Sequence, residues 1–174
     1  MFNDQYKVII GLDLSLSRTG ISLFWNDSLE AHTLNIRSAE RGMKRLVDLE
    51  QKLKFTLYPF REKAFVVFED YSLGSRGRNL FGLIEWGGVA RTAVYKMGVN
   101  IITVSPKTLK KFVTGNGNAN KEDMMKAVKE LWGYEATNND EADAYSLSRF
   151  GDSLINPDRY SKEQLRASLK FTTL

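Results

Sequence analysis

Apolar residues recur along the chain with two periods, near 2 and near 3.6, and their order predicts the elements. Lys7–Asp13 is an apolar run, Val8, Ile9, Ile10 and Leu12, closed by a carboxylate, the pattern of a strand buried on both faces. Thr19–Trp25 and Leu29–Ile36 alternate, and Asn26-Asp27-Ser28 between them predicts the turn of an antiparallel pair. Ser38 is placed to cap a helix reaching Tyr58, with Met43, Leu46, Leu49, Leu53 and Leu57 at helical spacing and Pro59 as its stop. Ala64–Glu69 is again apolar until it ends in acid.

A Gly/Arg loop, residues 73–79, leads to a helix ending near Met97, and Val99–Val104 is a further buried strand. Ser105-Pro106 is a compact helix start, with Ser as N-cap and Pro in the first helical position. That helix should end at Gly115. A Gly/Asn loop then precedes a helix over Lys121–Trp132, and a last core helix should run from Asn138–Asp140 to Gly151. Ser161 and Gln164 form a capping-box pattern for a short helix in the tail.

Three hairpin-linked strands followed by strand–helix units predict an α/β protein: a mixed five-stranded sheet, antiparallel then parallel, with helices on both faces. Residues 1–151 form this domain, and residues 152–174 are read as a tail belonging to the same unit.

Composition narrows the chemistry. With 174 residues, 43% apolar and 26% charged, the chain is an ordinary globular domain. It has no cysteine, hence no disulfide, thiolate nucleophile or Cys-based metal site. Its single histidine, His32, reads as a half-exposed strand residue. The longest apolar run, Ala64–Phe68, falls far short of the roughly 18 residues of a membrane span. No secretory signal opens the sequence. The expectation is a soluble cytoplasmic protein without a membrane partner.

Net charge is +4 and uneven. Residues 71–121 hold eight Lys or Arg (Arg76, Arg78, Arg91, Lys96, Lys107, Lys110, Lys111, Lys121) against one acid, Glu85. A basic zone on an otherwise acidic domain points to a polyanion, and its spread over several segments favours nucleic acid.

Two buried strands end in Asp13 and Glu69. Carboxylates at the C-terminal edge of such a sheet need an offsetting partner, and a cation is the usual one. Asp140 and Asp143, three apart, share one helix face, while Glu141 turns away. Taken singly, these acids could be helix capping or a strand end entering solvent. Together, in a chain without Cys and with one His, they suit hard oxygen-loving ions such as Mg²⁺ or Mn²⁺. Two such ions support phosphodiester hydrolysis.

The chain resembles the RuvC-type Holliday junction resolvases, especially their short phage-like members, over about Val8 to Phe150. The resemblance rests on Ile10-Gly11-Leu12-Asp13 followed by Thr19-Gly20, and on Val67-Phe68-Glu69 before a basic Gly-containing segment. It also rests on residues 109–117 (LKKFVTGNG) with Lys121 beyond, and on Asp140-Glu141-Ala142-Asp143-Ala144. It implies an RNase H-like fold, a cytoplasmic and in some cases phage-encoded enzyme, and two Mg²⁺ ions, replaceable by Mn²⁺, held by Asp13, Glu69, Asp140 and Asp143. It assigns DNA binding and cleavage to Lys110 and Lys121, with Lys121 in the catalytic group, and a DNA contact to Tyr71. Asp70 stands as an alternative to Glu69. Leu14-Ser15 replaces the Pro-Gly frequent in the family after the first Asp.

Lys107 and Lys111, beside Lys110, and Arg76 and Arg78, in the Gly-containing loop, are further expected DNA contacts. The helix through Asn79–Met97 carries Leu80, Leu83, Ile84, Ala90, Val94 and Met97 in one stripe, with Gly82, Gly87 and Gly88 inside it and Phe81 and Trp86 beside it. These residues, with the two-fold symmetry of a four-way junction, predict a homodimer. Three other readings stay open: an RNase H-like nuclease on RNA–DNA hybrids or flaps, a non-catalytic DNA-binding module and, ranked low, a nucleotide hydrolase. The last would need a second lobe and a phosphate loop, so no nucleotide cofactor is expected.

Overall fold

The computed structural model describes residues 5–71 and 78–174, with backbone alone at Arg78 and Asn79. Six strands form one sheet: β1 (Val8–Asp13), β2 (Thr19–Trp25), β3 (Ala31–Ile36), β4 (Ala64–Glu69), β5 (Asn100–Val104) and β6 (Thr172–Thr173). Their spatial order is β3-β2-β1-β4-β5-β6. β1 pairs antiparallel with β2 and parallel with β4, and β4 continues parallel to β5. Five strands were expected; the sixth is a two-residue piece of the tail that pairs antiparallel with β5.

The central strands alternate their side chains between two cores. Ile9, Phe65 and Val67 face one core, shared with α3 (Pro106–Thr114), α4 (Lys121–Trp132), α5 (Asn139–Ile155) and α6 (Lys162–Ser168). Val8, Ile10, Leu12, Val66 and Phe68 face the other, under α1 (Gly42–Leu57) and α2 (Arg78–Lys96). Burial on both faces explains why β1 and β4 read as unbroken apolar runs. At the sheet's outer side, His32 on β3 is exposed.

Helix boundaries agree where a capping side chain is used. Ser105 accepts from the Thr108 amide at 3.2 Å ahead of Pro106, and left-handed Gly115 (φ 76°) closes α3. Asn120 and Asp123, and then Ser161 and Gln164, make reciprocal capping boxes.

Two expectations are corrected. Ser38 does not cap α1: its Oγ accepts from the Glu40 amide at 3.2 Å in a turn, and α1 starts four residues later behind extended Arg41. Gly151 does not stop α5, which runs on to Ile155. A Cβ at Gly151 would lie 2.6 Å from a methyl of Ile9 and 2.8 Å from one of Val67, so glycine serves close packing there rather than termination.

The α2 stripe also differs from expectation. Trp86, Ala90 and Val94 are completely buried in this chain's own core, and Trp86 Nε1 donates to Thr19 Oγ1 at 3.0 Å. Gly82 and Gly87 accommodate Leu16 and Tyr71. The exposed face carries Phe81, Ile84, Gly88 and Tyr95 instead. Among the described residues, no helix is long and apolar enough to cross a membrane.

Candidate active site

Sheet register makes Asp13 and Glu69 neighbours. Leu12 pairs with Phe68 as the last bridge between β1 and β4, so the next residues are the two acids, at the C-terminal edge of the sheet. Helix α5 brings the other two. A Cβ on Gly11 would overlap the Ala144 carbonyl oxygen, and one on Gly20 would lie 2.5 Å from that of Asp140. Glycine at both positions lets the first turns of α5 rest directly on β1 and β2. Asp140 and Asp143 thereby reach Asp13, which pairs with Gly20 across the strands.

The charges are crowded. Burial, then Asp143 and Asp140, push the Asp13 carboxyl from its ordinary 3.8 up to about 7, against a smaller lowering by Glu69 and Lys121. Burial, then Asp13 and Asp143, hold Glu69 well above its ordinary range, with Lys110 opposing. Asp143 rises to about 6, chiefly by burial, while Lys121 and Lys110 pull it down. Burial and their shared negative charge together favour keeping a proton on the Asp13–Glu69 pair. Asp140 is held separately by Arg18, whose Nε donates to its Oδ2 at 2.7 Å. Among the described residues, no group of three acids stands in a finished metal-ligating arrangement.

Glu69 and Asp70 have different partners. Asp70 turns from the cluster: its Oδ1 accepts from Arg91 at 3.2 Å and from the Tyr71 amide at 2.9 Å. Arg91, counted in the basic zone, is spent here; it also donates to the Glu69 carbonyl and lies 4.3 Å from the Tyr71 ring centroid. Tyr71 leans on Gly87 of α2 and donates its hydroxyl to the Ile84 carbonyl at 3.2 Å.

Lys110 and Lys121 come together at the acids, from α3 and the start of α4. Lys107 and Lys111 are exposed on α3, and the Lys107 stem lies over Gly117. None of these four lysines makes an ion pair among the described residues. Arg76 and the Arg78 side chain lie outside the described residues. Sequence reasoning missed Arg18, although a lone cation five residues beyond a strand-end acid was a readable signal. Thr19, quoted in the sequence only as part of the Thr19-Gly20 motif, pins the β1–β2 loop through Oγ1 bonds to Ser15 and Trp86.

An all-oxygen donor set whose members raise one another's pKa fits a hard divalent cation, the partner that would relieve that crowding.

The family described as "Crossover junction endodeoxyribonuclease RuvC" matches residues 9–148. A relative of that name from Rickettsia prowazekii (strain Madrid E) is 24% identical over 148 residues, covering 81% of this chain and 94% of its own. One from Mycobacterium ulcerans (strain Agy99) is 26% identical over 148 residues, covering 80% of each. The structure of Thermus thermophilus RuvC in complex with Holliday junction substrate shares the fold, with a TM-score of 0.73 at 19% identity over 97% of this chain and all of that one. The matched stretch contains all four acids and both cluster lysines, and the chain belongs to the RuvC family of crossover junction endodeoxyribonucleases.

Proposed function

We propose that this chain is a structure-specific endodeoxyribonuclease that resolves four-way DNA junctions by paired, metal-dependent phosphodiester hydrolysis. The observation that carries this reading is the meeting of Asp13, Glu69, Asp140 and Asp143 with Lys110 and Lys121 at one sheet edge, in a chain of this family. The four carboxylates would hold two Mg²⁺ ions, with Mn²⁺ able to substitute. Bound there, the ions would supply charge stabilisation at the scissile phosphate and a nucleophilic water at neutral pH.

The remaining tasks belong to side chains. Lys110 and Lys121 offset the repulsion between the acids and an approaching phosphate. Lys121 acts on Asp13 and Asp143 and Lys110 on Glu69 and Asp143, so both cations stand beside the proposed scissile group. Arg18 orients Asp140 by holding one of its oxygens. Lys107, Lys111, Arg76 and Arg78 extend the DNA contact outward. Tyr71 is tied to α2 through the Ile84 carbonyl, which makes its contribution to DNA contact indirect.

One domain carries one acid cluster, whereas two equivalent strands must be cut, so the working unit is a symmetric homodimer. The exposed α2 face, with Phe81 at 73% and Tyr95 at 68% exposure, supports its use as the shared surface.

The test is a labelled four-way junction with Mg²⁺, beside linear duplex and an RNA–DNA hybrid. Paired symmetric nicks in the junction are expected, lost in Asp13→Asn, Glu69→Gln, Asp140→Asn and Asp143→Asn while junction binding persists. Faster cutting of the hybrid would favour the RNase H-like alternative, and junction binding without Mg²⁺-stimulated cleavage a binding module.

A further inference from the structure

A cleft of about 590 Å³ opens between the β1–β2 loop, the segment before α1, and α2, starting at Leu14, the residue after Asp13. Among the described residues that line it, Arg45 is the one charged side chain and none is a carboxylate. Arg45 Nε donates to the Glu40 carbonyl at 2.9 Å, which fixes the guanidinium, while its two terminal nitrogens have no partner among the described residues. Ser15 and Ser17 form the facing wall. Their hydroxyls lie 3.1 Å apart, and Ser15 Oγ also accepts from the Ser17 amide at 3.3 Å. Two hydroxyls have two protons and the bond between them uses one, so the other is free to donate outward.

This wall is preorganised. The Ser15 amide donates to Thr19 Oγ1 at 3.3 Å, that hydroxyl donates back to the Ser15 carbonyl at 2.9 Å, and Trp86 holds Thr19. Leu16 is seated on Gly82 of α2. Ser38 on the rim is committed to the Glu40 amide and the Asp48 carboxylate.

We infer that Arg45, Ser15 and Ser17 form a phosphate-binding subsite for the DNA strand that crosses the acid edge; this rests on the function proposed above. Two free guanidinium nitrogens in a fixed fork match a phosphodiester's two non-bridging oxygens, and a hydroxyl adds a third donor. Position supplies the rest of the argument. Lys110 and Lys121 approach the acids from the α3/α4 side of the sheet, and Arg45 stands on the α1/α2 side. A strand crossing the repulsive carboxylates is then gripped on both sides of them.

The test is fluorescence anisotropy of a labelled four-way junction, and separately of linear duplex, without divalent metal over a salt series, with thermal melts as folding control. Arg45→Ala should weaken binding to both DNAs roughly tenfold at low salt and reduce the slope of log K on log salt by about 0.9, the loss of one phosphate contact. Arg45→Lys should restore the slope but not the affinity, because an ammonium lacks the fork. Ser17→Asp, at an exposed position, should weaken binding in a folded protein even if Arg45 variants fail to fold. Wild-type slope and affinity in folded Arg45→Ala, or wild-type affinity in Ser17→Asp, would overturn the subsite. If wild type cuts no junction while Arg45→Ala still loses slope on duplex, the functional reading fails and the subsite stands.

Discussion

Replacing Asp13 with asparagine should make the metal-free protein more stable at alkaline pH, although it removes a residue central to the proposed activity. Burial first, then Asp143 and Asp140, raise this carboxyl from 3.8 to about 7. A folded-state pKa above the unfolded one means that the native state binds the extra proton. The associated stability is complete below pH 4, falls as the pH climbs, and is gone above about pH 7. At about 1.4 kcal/mol per pKa unit, the loss approaches about 4 kcal/mol if Asp13 bears the whole shift, and about half that if Glu69 shares it. Asparagine resembles the protonated acid and never ionises, so it avoids the loss.

Thermal melts in chelator between pH 4 and pH 8.5 read the effect. For a domain of this size, the variant should melt on the order of 5–10 °C above wild type at pH 8. The gap should close toward pH 4, where wild-type Asp13 is itself protonated. Adding Mg²⁺ should raise the wild-type midpoint more than the variant's and narrow the gap from that side. Equal melting at pH 8, or a gap that persists unchanged at pH 4, would refute the electrostatic account of the site.

Four further outcomes are expected. Gly11→Ala should cost more than about 3 kcal/mol, or leave no folded protein by circular dichroism, because its methyl would overlap the Ala144 carbonyl and lie 2.6 Å from the Ser148 amide nitrogen. Asp152→Ala should lower stability by about 3–5 kcal/mol in denaturant melts, since it strands Tyr160 (2.5 Å), Asn156 (2.8 Å) and Arg159 (3.0 Å). Wild type should sediment at micromolar concentration at about twice the 19.8 kDa chain mass, and Phe81→Glu as a folded monomer. Neutralising Lys110 and Lys121 together should lower the salt slope of junction binding by about 1.8, whereas an unchanged slope would make them a solvated helix face.

The parts of the molecule legible in the sequence are those fixed by local chemistry. Asp13 and Glu69 stood out because each closes a run of apolar residues, and the bounds of α3 followed from Ser105 and Gly115 acting on their own helix ends. The failures share the opposite cause. Ser38 has the right side chain for a cap, but a turn at Glu40 uses it first. Gly151 looks like a helix terminator, yet its missing side chain is needed by Ile9 and Val67, which are distant in sequence. Arg18 meets Asp140 across 122 residues, so its spacing from Asp13 could mark it as near the site without naming its partner. On α2 both faces are apolar, so periodicity identified a helix without telling which face was core; Trp86 went inside and Phe81 stayed out.

Helix α5 joins the destabilising and the stabilising parts of the fold in one rigid rod. Its first turns hold Asp140 and Asp143 against Asp13, an arrangement that crowds negative charge as the pH rises. Its last turns hold Asp152, fully buried and saturated by Tyr160, Asn156 and Arg159, and Arg149, whose guanidinium lies 4.7 Å from the Phe24 ring centroid and 5.2 Å from that of Trp132. At 1.5 Å per residue, Asp140 and Asp152 are about 18 Å apart, too far for direct compensation of charge. The coupling is mechanical. Gly11 and Gly20 near the acid end, and Gly151 at the other, leave no space between helix and sheet, so the acid end cannot lift away from Asp13 without disturbing packing along the rod. Replacing Asp13 with asparagine should raise stability above about pH 7, and removing Asp152 should lower it. Because the two sites share no partner and neither substitution touches the glycine contacts that seat the rod, the double substitution should come close to the sum of the single effects.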